Sequence, residues 1–293
     1  MKEKVVTFFR EYRKSFVVVF SLLAICVAIS VITSVAVPKK LKVSFLDIGQ
    51  GDSILIQTPG GHEMLIDGGP NDGVLGKLHR EMSYFNHDID VVVATHGDAD
   101  HVTGLIPVLE VFDVEHIVRS PIDAHTGIFD DLTHHVEKET SNLHVAQAGD
   151  KIDFGDGVIA YVLYPTKSIS PKTETNDASV CVVIMYGAHS FLLTGDLSSK
   201  FESKLISGVL PKHVTVYKAG HHGSKTSSGA SLLTYIKPEY VVISAGRDNK
   251  YGHPNEETLT RLQVYAQEIL STIDRGTITF ISDDRLLEVE TEK

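Results

Sequence analysis

Four apolar runs in this chain end in the same way. Residues 91–95 lead into His96-Gly97-Asp98-Ala99-Asp100-His101, and residues 191–194 into Gly195-Asp196. Residues 214–218 lead into Ala219-Gly220-His221-His222-Gly223-Ser224. Residues 241–244 lead into Ala245-Gly246, then Asn249, Tyr251, Gly252 and His253. A short apolar run bounded by turn residues reads as a buried strand. Small residues let the loop that follows fold tightly, so side chains that ligate metals converge. Such a chain is constrained to sheets whose strand ends gather on one edge, where layered α/β proteins carry their chemistry. Residues 96–101 are the densest of these ends, with four ligand-type side chains. They read as a site for one or two divalent ions and point to hydrolysis. The plain alternative is a polar loop in which Asp100 caps the helix that follows.

The rest of the pattern fills in the layers. Runs at 41–48, 52–57 and 63–67, separated by Gly49-Gln50-Gly51 and Pro59-Gly60-Gly61, predict an antiparallel meander. Further strands are predicted at 90–95, 115–119, 158–164, 179–186, 190–194, 214–218, 241–245, 269–273 and 277–281. Helices are predicted over 72–85, 102–111, 130–140, 200–207, 228–236 and 256–267, and a flexible loop over 166–178. Two strand-rich halves with helices outside imply an α/β fold, a four-layer α/β/β/α sandwich with its sheets face to face.

Residues 16–37 form a run of 22 without a charge, long enough to cross a bilayer as a helix. Five basic residues precede it (Lys2, Lys4, Arg10, Arg13, Lys14), which favours a cytoplasmic N-terminus. Residues 1–15 then read as a basic cytoplasmic tail and 16–37 as a membrane anchor; the alternative is a signal sequence cleaved near Ser34-Val35-Ala36. Either reading places the rest of the chain, a hydrolase domain over 41–283 and an acidic tail over 284–293, outside the cytoplasm. Residues 38–293 carry 22 basic and 36 acidic side chains, so bulk charge does not recruit nucleic acid. The two cysteines, Cys26 and Cys181, lie in apolar runs and offer no cysteine metal site.

The run His96-x-Asp98-x-Asp100-His101, with Ile66-Asp67-Gly68-Gly69 before it and Thr194-Gly195-Asp196 after it, resembles the metallo-β-lactamase superfamily. Leu46-Asp47-Ile48-Gly49-Gln50-Gly51-Asp52, His221-His222-Gly223-Ser224 and Asn249-x-Tyr251-Gly252-His253-Pro254 narrow the likeness. Together they resemble the metallo-β-lactamase-like domain of ComEC-type DNA-uptake proteins and their stand-alone relatives. The resemblance implies the αβ/βα sandwich and two divalent ions, zinc or manganese. His96 and Asp98 would hold the first ion, Asp100 and His101 the second with His221, and Asp196 would bridge them. Asp67 would orient the ligand loop from behind. Many members place a further histidine for the first ion before the Thr-Gly-Asp strand; this sequence offers Asn176 or Asp177 there. Of the neighbouring histidines, His221 is favoured over His222 because it comes first after the strand. Asp47 and Asp52 read as turn formers.

Two ions about 3.5–4 Å apart activate a shared water and neutralise a phosphate. Asp100 would act at that centre, Lys225 would hold a phosphate, and His253 would protonate a leaving oxygen. Ser224 and Asn249 lie on loops that reach the same edge. The leading expectation is therefore a membrane-anchored phosphodiesterase or nuclease acting on a phosphodiester such as single-stranded DNA. The alternatives are a hydrolase of another ester, a lactone or a phosphorylcholine-bearing wall polymer, and a non-catalytic assembly module.

Overall fold

The computed structural model describes residues 12–36, 40–83, 86–139, 142–206 and 208–293, without the side chains of 28–36. The chain divides into two compact units, Met1–Lys39 and Lys40–Lys293. In the first, α1 (Arg13–Ala36) exposes Val17, Phe20, Leu23 and Val27. The expected membrane segment 16–37 falls partly outside the described residues. Among the described residues, no helix is long and apolar enough to cross a membrane.

The second unit opens with the expected meander: β1 (Leu41–Phe45), β2 (Ile54–Gln57) and β3 (Glu63–Ile66). Helix α2 (Gly73–Glu81), β4 (Asp88–Ala94), the short α3 (Ala99–Val102), α4 (Leu105–Val111) and β5 (Asp113–Arg119) follow. Next come α5 (Gly127–Glu139), β6 (Leu143–Val145), β7 (Lys151–Asp153), β8 (Ile159–Tyr164), β9 (Cys181–Tyr186) and β10 (His189–Leu193). The chain continues through β11 (Val216–Lys218), α6 (Ala230–Ile236), β12 (Tyr240–Ile243), α7 (Glu256–Tyr265) and β13 (Glu268–Ser271). It closes with α8 (Thr272–Arg275), β14 (Ile278–Ser282) and β15 (Leu287–Thr291).

The strands form two sheets, β15-β14-β1-β2-β3-β4-β5-β6 and β13-β12-β11-β10-β9-β8-β7. Val43, Phe45, Val91 and Val93 from the first meet Val182, Ile184, Phe191 and Leu193 from the second in one core between the sheets. The intervening residues face outwards: Val92 and Ala94 pack with Leu105, Val108 and Leu132, while Val183 and Leu192 pack with Leu232, Leu233 and Leu262. Strands covered on both faces read as unbroken apolar runs rather than alternating ones. That is why β4, β9 and β10 stand out in the sequence. In the first sheet β3, β4, β5 and β6 run parallel, as do β10 to β13 in the second. The loops that begin at His96, Gly195, Ala219 and Ser244 all leave the carboxyl ends of these parallel strands.

The structure departs from expectation in three places. The helix expected at 102–111 starts at Ala99 and breaks after Val102, where Gly104 packs on the Gly68 backbone. The helix expected at 200–207 is one 3-10 turn, Glu202–Leu205. Residues 284–293, expected as an acidic tail, contain β15, paired antiparallel with β14. Its half-buried Leu287 and Val289 alternate with exposed glutamates, so this edge strand resembles a solvated tail in sequence.

Candidate metal centre

The centre is assembled from the ends of β3, β4, β10 and β11. Asp67, just after β3, is fully buried and sits in the left-handed region with φ 58°. Its Oδ1 accepts from the Thr95 backbone N–H at 2.8 Å, and its Oδ2 from the Thr95 hydroxyl at 2.7 Å. The last turn of β4 is thereby fixed, and His96 follows. Gly51 packs so close to the carbonyl of Asp100 that any Cβ there would overlap it. The loop after β1 therefore presses directly on the ligand loop.

Hydrogen bonds decide which imidazole nitrogen faces the centre. The Thr95 hydroxyl gives its proton to Asp67, so its oxygen accepts from His96 Nδ1 at 3.0 Å. His101 Nδ1 donates to Asp67 Oδ2 at 2.7 Å, and His222 Nδ1 to the Ser244 carbonyl at 3.0 Å. All three rings therefore turn Nε2 inwards. His101 Nε2 lies 3.3 Å from His222 Nε2 and 3.4 Å from Asp196 Oδ1. His222 Nε2 is 3.4 Å from Asp100 and 3.5 Å from Asp196. Donors about 2.0–2.2 Å from one tetrahedral ion stand about 3.3–3.6 Å apart, so these spacings suit a shared cation. Asp196 Oδ2, which also faces His222, lies 3.9 Å from His96 Nε2 and 3.5 Å from His221 Nε2, and His96 Nε2 lies 3.9 Å from Asp98. Among the described residues, His96 Nε2 and Asp196 Oδ1 are buried without a hydrogen-bond partner, which a cation would supply.

The turn after β11 aims two rings at once. His221 and His222 both take left-handed φ values, 49° and 55°, followed by Gly223 at 80°. Two such non-glycine residues in a row are costly and persist only where the surroundings hold them. Gly220 N–H bonds to Tyr217 and Ser228, and Ser227 Oγ bonds to the Gly220 carbonyl. This curl swings the second histidine inwards, which corrects the expectation for the first. His222 is buried among His101, Asp100 and Asp196, whereas His221, partly exposed, meets Asp196 alone of the carboxylates among the described residues.

The electrostatics favour positive charge. Burial opposes ionisation of Asp196, yet the neighbouring His222 and His101 hold its carboxyl well below the usual range. Burial likewise raises Asp100, but the His222 hydrogen bond and the His101 charge bring it down to about 2. Burial lowers His222, and Asp196 and Asp52 override it, pushing it up to about 9. The field that draws protons to these rings would draw a divalent ion more strongly. Burial and the His101 charge keep His96 neutral, with its lone pair available.

Not every expected residue gathers here. Asp177 presents its carbonyl to the Tyr164 hydroxyl, and among the described residues no hydrogen bond or ion pair ties its carboxylate to the centre. Thr175 is the member of that loop that reaches in, donating to Asp98 at 2.8 Å. Lys225 is exposed, with no hydrogen bond or ion pair to the cluster among the described residues. His253 does arrive, its ring 5.4 Å from that of His221 and 6.4 Å from that of His222. Asn249 holds the backbone of His253 at both its N–H and its carbonyl. Asp52, expected as a turn former, is buried, and with His101, Asp196 and His222 it offers ligand atoms all within 4.8 Å of one another. Lys218 escaped the sequence reading altogether. The signal was a lysine in phase with Val216 on an otherwise apolar strand.

The family model described as the metallo-beta-lactamase superfamily matches residues 46–247. The chain belongs to this family. Among curated relatives it is 27% identical over 264 residues to ComE operon protein 3 of Bacillus subtilis (strain 168), covering 84% of this chain and 33% of that protein. It is 29% identical over 253 residues to Competence protein ComA of Neisseria gonorrhoeae, again covering 84% and 33%. The chain thus spans about a third of the length of these relatives. Among solved structures, the diiron β-hydroxylase CmlA from Streptomyces venezuelae superposes with TM-score 0.54 at 12% identity, covering 83% of this chain and 54% of that one. A long-form RNase Z from yeast gives 0.50 at 11%, covering 85% and 42%. These two likenesses concern the fold alone. A two-sheet α/β fold with a buried Asp/His cluster suited to divalent metal is thus common ground with the metallo-beta-lactamase superfamily.

Proposed function

We propose that this member of the superfamily is a metal-dependent phosphodiesterase acting on single-stranded DNA. The observation that carries the reading is Asp196, whose Oδ1 faces His101 and whose Oδ2 faces His96, His221 and His222, so that one carboxylate stands between all four imidazoles. In this account His101, His222, Asp100 and Asp196 would hold one zinc or manganese ion, and His96, Asp98, His221 and Asp196 would hold another. When bound, such ions lower the pKa of water and neutralise charge on a phosphate.

The chain's own residues supply the rest. Asp67 fixes the tautomer of His101, and Thr95 fixes that of His96. Burial and the charges of His221 and His222 lower the pKa of His253, so its imidazole stays neutral and would donate an N–H hydrogen bond to a phosphate oxygen, the proton for the leaving oxygen coming from water. Lys225, exposed on the turn after the histidines, would meet a phosphate of a longer substrate. Tyr251 is 54% exposed and stacks on His253, and Lys250 Nζ sits 5.0 Å from the centre of its ring. An aromatic face with a cation beside it suits an unpaired base and its backbone. The names of the competence relatives support the same substrate class. Residues 16–37 would tether the chain to a membrane with the centre outside the cytoplasm, a reading supported by the uncharged run and the basic residues before it.

The acidic balance of residues 38–293 favours a second reading, hydrolysis of a smaller ester such as a lactone. Assay of one preparation against single-stranded DNA, a chromogenic phosphodiester and a lactone, with manganese or zinc added, separates the two. Turnover of both phosphodiesters but not the lactone is expected. Lactone turnover alone would establish the second reading instead.

A further inference from the structure

Lys218 is a buried cation that the account so far does not use. Its Nζ stands 2.6 Å from Asp52 Oδ2, with both side chains at most 3% exposed. Among the described residues Asp52 is its one ionic partner. The other oxygen, Oδ1, lies 3.3 Å from His222 Nδ1, the nitrogen turned away from the cluster. We infer that Lys218 and Asp52 are positioning residues, a buried pair that aims the His222 imidazole at the metal centre and balances its charge. The inference rests on the metal-centred reading above.

Three observations carry it. First, a carboxylate stands behind His222 as Asp67 stands behind His101 at 2.7 Å: the His222 Nδ1–H goes to the Ser244 carbonyl at 3.0 Å, and the Asp52 charge lies 3.3 Å from the same nitrogen. A carboxylate behind a ligating imidazole fixes the ring and raises its basicity. Second, Asp52 is poorly placed to be a ligand itself, because one oxygen is taken by Lys218 and the other faces the rear of His222. Third, the charges match. Asp52, Asp67, Asp98, Asp100 and Asp196 bring five negative charges within the cluster and its surround. Two divalent ions together with Lys218 would balance them.

The plain alternative is a bolt between the sheets, since Asp52 precedes β2 in one and Lys218 ends β11 in the other. A buried ion pair is a weak bolt, because desolvation consumes most of what the attraction returns. Apolar or neutral residues of similar size would join the sheets as well or better.

Zinc affinity, measured on the full chain by competition with a chromophoric chelator, separates these readings. Asp52→Asn combined with Lys218→Met removes both charges together and should melt, without zinc, within a few degrees of the wild type. Its zinc affinity should fall about 10- to 100-fold. Lys218→Arg, which keeps the charge and the pairing, should stay within about threefold of the wild type, as retained positioning requires. A folded double variant that binds zinc as tightly as the wild type would overturn the inference. If that variant does not fold, Asp52→Asn alone is judged by the same threshold. A wild type that binds no zinc would instead sink the metal-centred reading itself.

Discussion

Asp196 lies within 3.4–3.9 Å of four imidazole nitrogens, those of His96, His101, His221 and His222. No other carboxylate among the described residues meets four imidazoles, and the place of Asp196 after the Thr194-Gly195 turn was legible in the sequence. So were His96, Asp98, Asp100 and His101, because they are packed into one loop. His222 was not, since the order of two adjacent histidines says nothing about a left-handed curl. Asp52 and Lys218 were missed because each looks ordinary among its sequence neighbours and gains meaning only across the two sheets. At the edge of the centre, Tyr251 gives a prediction. Stacking on one base is worth about 1–3 kcal/mol, so Tyr251→Ala should weaken apparent affinity for single-stranded DNA roughly 5- to 150-fold. Turnover of a small chromogenic phosphodiester should stay unchanged. Equal losses on both substrates would show that Tyr251 acts on His253 rather than on a base.

Elements meet at this centre through close backbone contacts. A Cβ on Gly104 would lie 1.9 Å from the Gly68 carbonyl oxygen, although the Gly104 backbone itself is unstrained at φ −73°. Gly104→Ala should therefore cost about 3 kcal/mol in denaturant unfolding and weaken zinc binding, since it pries the turn carrying Asp67 from the helix after the ligand loop. An unchanged midpoint would contradict that placement. Glu202 is a second test. Burial raises it to about 7, against the pull of the Gly229 N–H at 2.7 Å and of Arg261. The protonated form is thus favoured in the folded state. Its contribution is fully present below about pH 4.5 and is lost as pH rises through about 7. Glu202→Gln should remove that slope and raise stability near pH 8 by about 3 kcal/mol, read from melting curves across this range. A parallel pH profile for variant and wild type would refute the assignment. The strands buried on both faces were legible as apolar runs. Strands β6, β7 and β15 were not, because short or half-solvated edge strands carry too little apolar signal.

For the whole molecule, the layered sandwich follows from two sets of apolar runs and the helices between them, and so was legible from pattern alone. The pairing of the sheets by long-range contacts, which unites Asp67, Asp196 and His222, was not. The centre concentrates negative charge that only cations relieve, so metal should stabilise the folded chain. Zinc at about 100 times its dissociation constant should add about 2.7 kcal/mol, raising the melting temperature by several degrees, and Asp196→Ala should abolish the rise. The most direct test of the central claim is release of nucleotides from single-stranded DNA by the purified full chain, with and without manganese or zinc. The account predicts turnover that requires added metal and falls by at least about a thousandfold in a folded Asp196→Ala variant, as expected when a group central to catalysis is removed. Metal-independent turnover, or full activity in that variant, would contradict it.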